Sequence, residues 1–314
     1  MKRLLLLSLF TFAYSLLPAL TWSEPWQEDV INNSEYFVLG KVINSERGSV
    51  KIKVIKNLGG KEIESEFTLQ GFHMLSVCTK DNEEDAPTFY FHMIDTVYLF
   101  IKKSDIGYCI PTPTSGYAIV SGGKALSTFR HSYHQAHLPM ATYEKVMTAI
   151  WNSYKGLPVD TKFVTEYTNK YLKQKPAGFR DHEINLFFNQ HAALELVNHL
   201  KLSDKFLLIS PFVNCANNHL MISAVRCLGN MNTTESKKLL VDYIKDDTKD
   251  NFTRVMAVWS LKKLNPAELK AQLKTIYDTA NETPTGFGGS KEDPRICTYI
   301  PNLKEALNTL LGQL

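Results

Sequence analysis

Cysteine is scarce in this chain, with five in 314 residues and the first at Cys78. A set so sparse and odd in number excludes a cystine-stapled scaffold, and the lack of an early cysteine excludes a lipid-modified N-terminal thiol. Two catalytic signatures are missing as well: there is no Gly-x-Ser-x-Gly elbow and no Gly-x-x-x-x-Gly-Lys phosphate loop. Ser121-Gly122-Gly123-Lys124 is glycine-rich but reads as a hairpin turn. No excess of one charge exists either. Lys and Arg number 35 against 32 Asp and Glu, for a formal charge of +3, and the basic residues are scattered. That pattern gives nucleic acid no electrostatic footprint. With 44% hydrophobic and 21% charged residues, composition excludes a disordered chain, and no second membrane segment is suggested.

What is present begins at the N-terminus. Lys2 and Arg3 precede an apolar run from Leu4 to Leu20, broken by Pro18, and Thr21-Trp22-Ser23 places small residues ahead of Glu24. This is the pattern of a cleavable export signal over residues 1–23. The expectation is a mature chain starting at Glu24, exported to a periplasm or outside the cell, with no stable membrane anchor after cleavage. About 290 residues remain, enough for two cores. Four Asn-x-Ser/Thr sequons begin at Asn32, Asn232, Asn251 and Asn281. They carry meaning only in a glycosylating secretory pathway.

Residues 24–157 read as a β domain. Tyr36 to Asn44 and Val50 to Val54 form a hairpin across Glu46-Arg47-Gly48, and Leu58-Gly59-Gly60-Lys61 reads as the next turn. Ile63, Ser65, Phe67 and Leu69 alternate with Glu62, Glu64, Glu66 and Thr68, the period of a strand with one wet face. Further strands fall at Phe89-Tyr90-Phe91, Val97 to Ile101, Tyr117 to Val120 and Ala125 to Phe129. So many short strands predict a small antiparallel barrel or sandwich. A helix from Pro139 to Tyr154 closes the domain, with Tyr143, Val146, Met147, Ile150 and Trp151 on one face. Tyr90, Phe91, Tyr98 and Phe100 are aromatic strand residues expected in the core, the alternative being a ligand groove.

Val38-Leu39-Gly40-Lys41-Val42 opening the domain, Cys78 after the third strand, Val97 to Phe100 next and Cys109 at the following strand resemble netrin-type domains. The resemblance implies an OB-like barrel of the kind found in tissue inhibitors of metalloproteinases. Those inhibitors chelate the protease zinc through an N-terminal cysteine, whereas this mature chain would begin Glu24-Pro25-Trp26. Protease inhibition of that type is therefore not expected.

Residues 158–314 change to a helical period. Phe163, Tyr167 and Tyr171 are spaced by four, followed by Ile184, Phe187, Phe188, Leu196, Val197 and Leu200. Ala224-Val225-Arg226-Cys227-Leu228-Gly229-Asn230-Met231-Asn232 repeats 33 residues later as Ala257-Val258-Trp259-Ser260-Leu261-Lys262-Lys263-Leu264-Asn265. Glu235, Lys237 and Leu240 recur at the same offset as Glu268, Lys270 and Leu273. A repeated helix, turn and helix is the signature of an α-solenoid. Thr-Pro-Leu-His and the Trp-Leu-Gly-Tyr pattern of ankyrin and tetratricopeptide arrays are absent, and the segment from Asn217 to Tyr277 resembles short HEAT-like repeats. That resemblance implies macromolecular binding along a curved face. The fold class expected is thus α+β in separate domains: a barrel, then a HEAT-like array, with Thr161 to Leu314 as the functional unit.

Candidate chemistry is thin. His131, His134 and His137 form the one histidine cluster, whose spacing offers a zinc site and with it a metal-dependent hydrolase as the rival function. Asp181-His182-Glu183 begins like a His-Glu-x-x-His helix, but Leu186 stands where the second histidine belongs. His191 and His199 lie about 12 Å apart along a helix, too far to share one ion. No catalytic or cofactor residues are assigned. The reading is an exported, non-enzymatic binding or scaffold protein with a protein or other macromolecular partner. A disulfide between Cys78 and Cys109 is expected, closing a loop worth about 3 kcal/mol, while Cys227 stays a buried thiol because its counterpart in the next repeat is Ser260.

Overall fold

The structure is a computed structural model that describes residues 26–46, 49–70, 91–105, 107–111, 116–129, 134–285 and 300–314. A short helix, α1 (Gln27–Asn32), precedes strands β1 (Tyr36–Glu46), β2 (Ser49–Gly60), β3 (Glu66–Gln70), β4 (Thr96–Ser104) and β5 (Gly107–Cys109). These five close on themselves. β1 pairs with β2, β2 with β3, β3 with β5 in parallel, β5 with β4, and β4 returns antiparallel to β1. Closure leaves few of the free edges that an open sheet would expose. β6 (Tyr117–Ser121), β7 (Lys124–Phe129) and β8 (His134–Pro139) extend the sheet from β4.

The apolar run Val97 to Ile101 is explained by burial on both faces. Val97, Leu99 and Ile101 point into the barrel with Val38, Val42, Ile52, Phe67 and Leu69. Tyr98 and Phe100 turn outward with Phe37 and Leu39 and are covered by α2 (Met140–Tyr154). Phe37 stacks on Phe100 with ring centroids 4.6 Å apart, and Trp151 of α2 stacks on both. Gly59 permits this approach, since a Cβ there would fall 2.5 Å from the Trp151 indole nitrogen. Tyr98, Phe100 and Phe91 are therefore core, as expected, while Tyr90 lies outside the described residues.

Three local readings are corrected. Leu58-Gly59-Gly60, read as a turn, is the end of an extended β2, because β1 is long enough to pair with it as far as Tyr36↔Gly60. β3 begins at Glu66 rather than Ile63. The sequence assigned no element to 134–138 and began the helix at Pro139, whereas His134–Pro139 pairs with β7 as β8 and the helix starts at Met140.

The second half is a helical array. α3 (Thr161–Leu172), α4 (Ile184–His199), the single turn α5 (Phe206–Ile209), α6 (Asn218–Leu228), α7 (Thr234–Lys245), α8 (Asn251–Lys262), α9 (Lys270–Thr279) and α10 (Leu303–Leu311) follow in order. Packing joins α4 to α6, α6 to α8 and α8 to α10, so alternate helices form one inner row. α6 and α8 start 33 residues apart, and α4 falls one further period upstream with no visible sequence likeness. Local capping fixes these starts: Asn217 accepts from His219 and Leu220 N–H, Thr233 and Ser236 form a capping box, and Asp250 accepts from Thr253 N–H.

The apolar core does not divide at residue 157. One cluster runs from Phe37 and Tyr98 through α2 to α4, α6, α8 and α10. α1 adds to this continuity, with Val30 and Ile31 fully buried in the same cluster.

Candidate functional site

The chemistry-bearing residues gather in the inner row. His191, Glu195 and His199 recur every four residues on α4, which aligns them on one side of the helix, and all three are buried. The sequence reading treated the two histidines as too far apart to share one ion. It missed that Glu195, halfway between them, faces both: His199 Nε2 lies 3.3 Å from Glu195 Oε2 and His191 Nε2 3.8 Å from Oε1. A glutamate with histidines four residues to either side was the available signal.

α6 supplies the opposite wall. Arg226 Nη1 lies 3.2 Å from Glu195 Oε2, and Ser223 Oγ lies 2.8 Å from His191 Nε2. Two elements from the first half close the cluster. Glu28 of α1 approaches Arg226 Nη2 at 3.6 Å, and the Tyr154 hydroxyl of α2 lies 2.9 Å from His199 Nδ1. Burial, and then the negative charge of Glu28, pushes the Tyr154 phenol far above its ordinary range, so it stays protonated beside His199. Trp26 packs over the Arg226 guanidinium at 5.2 Å and against Trp259 at 5.9 Å.

Ser223, His191 and Glu195 have the residue types of a nucleophilic triad but not its geometry. In a triad the serine and the carboxylate bond opposite ring nitrogens. Here both lie toward Nε2, and each of the three residues is at most 1% exposed. The cluster is suited to fixing the packing of α1, α2, α4 and α6 rather than to meeting substrate. The adjacent Gln190, itself buried, does comparable work for the α3–α4 connection, accepting from the N–H of the buried Ala177 and donating to the Tyr171 and Lys175 carbonyls.

The histidine cluster of the sequence reading is only partly placed. His131 lies outside the described residues. His134 opens β8, and His137, exposed on the same strand, stacks against Phe188 of α4 at 5.9 Å. Among the described residues no group of three His, Cys, Asp or Glu is placed to hold a metal ion. Cys78 lies outside the described residues. Cys109, half-buried on β5, has its Sγ 3.6 Å from Ser104 Oγ. Cys227 is a buried thiol whose Sγ donates to the Leu194 carbonyl, and Ser260 is buried at the matching position of α8.

Among the described residues the open clefts include two of similar size. One, of about 470 Å³, lies between α7 and the start of α9, where Val241 and Leu269 are rimmed by Lys237, Lys238, Asp242 and Glu268. The other, also about 470 Å³, lies between β2, α2 and the start of α3. Among the described residues no helix is long and apolar enough to cross a membrane.

Comparison of the chain with curated proteins and with solved structures gives no match. Residues 164–284, most of the helical array but less than half of the chain, match the family of the vitellogenin TPR domain, so the second half is similar to a helical-repeat domain of that type.

Proposed function

We propose that this is an exported, non-enzymatic binding or scaffold protein whose helical half presents a surface to a protein or other macromolecular partner. The observation that carries the reading is the α7–α9 cleft, where an apolar floor of Val241 and Leu269 is ringed by charges of both signs. That anatomy suits a protein interface. Stacked helix pairs supply extended surfaces of this kind, and the match to a vitellogenin TPR domain supports a repeat architecture. The 33-residue period also supports short HEAT-like repeats. The closed five-stranded order, with its one parallel β3–β5 pair, supports an OB-like and netrin-like barrel. Export rests on the apolar run from Leu4 to Leu20 after Lys2 and Arg3, and the Cys78–Cys109 bond belongs to the same proposal.

A photo-crosslinking residue at Gln272 in the full chain, compared with one at Thr128 on β7, tests the surface. Partner crosslinked at position 272 and lost in Leu269→Glu supports it; partner retained by Leu269→Glu overturns it. N-terminal sequencing of secreted protein should begin at Glu24. Stoichiometric zinc abolished by His134→Ala would install the hydrolase in place of this reading.

A further inference from the structure

The cleft between β2 and α2 shares no lining residue with the buried cluster of α4 and α6. β2 pairs with β1 as far as Gly60, with bulges at Ile55 and Leu58, but β3 pairs only with its first part, Ser49 to Lys53, and Val54 N–H donates to the Ser65 carbonyl. Among the described residues, positions 55–58 have no ladder partner on the side away from β1. Such an edge is a template for another strand. Ile55 on it is 55% exposed, a large apolar side chain left in water.

Facing this edge, α2 presents Ala141, Lys145, Thr148 and Asn152, a single helical face, and Phe163 closes one end. From 141 to 152 that face runs roughly 16 Å at 1.5 Å per residue. An extended chain covers the same distance in about five residues at 3.3 Å each. A groove bounded by a strand edge on one side and a helix on the other is the geometry in which an added strand is held by main-chain hydrogen bonds while its alternate side chains enter the groove.

The charges in the cleft select further. Glu144 is satisfied twice, by the Tyr98 hydroxyl at 3.0 Å and by Lys56 Nζ at 2.6 Å. Asp160 is occupied in capping α3 through Phe163 N–H. Lys145 remains: it lies over the Phe163 ring at 5.4 Å, and among the described residues it has no carboxylate partner. An incoming chain that carries an acidic group complements it.

We propose that this cleft binds an extended peptide segment of a partner protein, about five residues long, apolar at alternate positions and bearing a carboxylate, added as a strand to the free edge of β2. It uses neither the α7–α9 cleft nor the buried α4–α6 cluster, so it stands or falls apart from the helical-surface reading.

The test selects a library of random heptapeptides against the full chain, then measures the enriched sequences as fluorescein-labelled synthetic peptides by anisotropy. Enriched peptides should alternate apolar residues and carry Asp, Glu or a free C-terminal carboxylate. Thr148→Trp, which fills the groove, should weaken them by about tenfold or more, and the exposed Lys145→Glu by about tenfold, while Leu269→Glu in the other cleft leaves affinity unchanged. Methylating alternate peptide amides should remove binding, since that deletes the strand-pairing donors and spares the side chains. If Thr148→Trp does not fold by circular dichroism, Lys145→Glu and the methylated peptides decide. No enrichment, or peptides that bind Lys145→Glu and tolerate amide methylation, overturns the proposal.

Discussion

Arg226 of α6 and Glu195 of α4 form an ion pair at 3.2 Å with both side chains almost wholly out of water. Removing charge from one side of such a pair leaves the other in a medium that cannot solvate it, at a cost of about 3–5 kcal/mol. Arg226→Ala should lower the urea unfolding free energy by that amount. An Arg226→Leu, Glu195→Leu double variant should recover most of it, because replacing both partners removes the desolvation cost as well. Equal losses in single and double variants would show that packing rather than charge is at stake.

Trp26 ties the N-terminal segment to the array through Arg226 and Trp259. Trp26→Ala forfeits an aromatic contact and a cation–π contact, a loss of about 2 kcal/mol. Hydrogen exchange should quicken in α1 and in α6 near Arg226 while the barrel strands keep their protection. Uniform acceleration would contradict a local clasp.

Gly229, at the C-cap of α6, lies against α8 so closely that a Cβ would stand 2.9 Å from the Ser260 Cα and carbonyl oxygen. These are backbone atoms and cannot rotate away. Gly229→Ala should destabilise the chain by about 1–3 kcal/mol through forced separation of the two helices. Thermal melting reads it directly, and an unchanged midpoint would show that the rows are not held at this contact.

Alkaline pH should unfold the protein early. Burial raises the phenols of Tyr98, Tyr143, Tyr154, Tyr167 and Tyr243 above their ordinary value of 10.0, and the Cys227 thiol above 9.0. Below pH 9 both folded and unfolded chains keep these groups neutral, and the stability is fully present. Above that the unfolded chain releases protons that the folded chain retains, so stability falls with each further pH unit. Urea midpoints should be flat from pH 7 to 9 and drop steeply beyond 10. Cys227 should resist alkylation until the chain unfolds, since the neutral thiol is unreactive.

Much of the architecture is legible in one dimension. The alternation of Glu66, Phe67, Thr68 and Leu69 marks β3, although its continuation back to Ile63 is not strand, and the offset of 33 residues between Ala224 and Ala257 places α6 and α8. Hydrophobic period and direct repetition are local properties, and local propensity follows them. The ends of elements were harder, as at Leu58-Gly59-Gly60, because the partner strand and Trp151 decide how far β2 stays extended.

The sequence by itself determined the β-then-α order and the repeat that builds the inner row. Only the tertiary structure decided that Glu28, Tyr154, Glu195, His199 and Arg226, spread over almost two hundred positions, share one dry cluster. It also left half of β2 with an open edge beside α2. The physical reason is the same for both. A residue's period tells which face it takes, but its partner is chosen by the path of the whole chain, and buried charges are tolerated only where that path brings their counter-charges within a few ångströms.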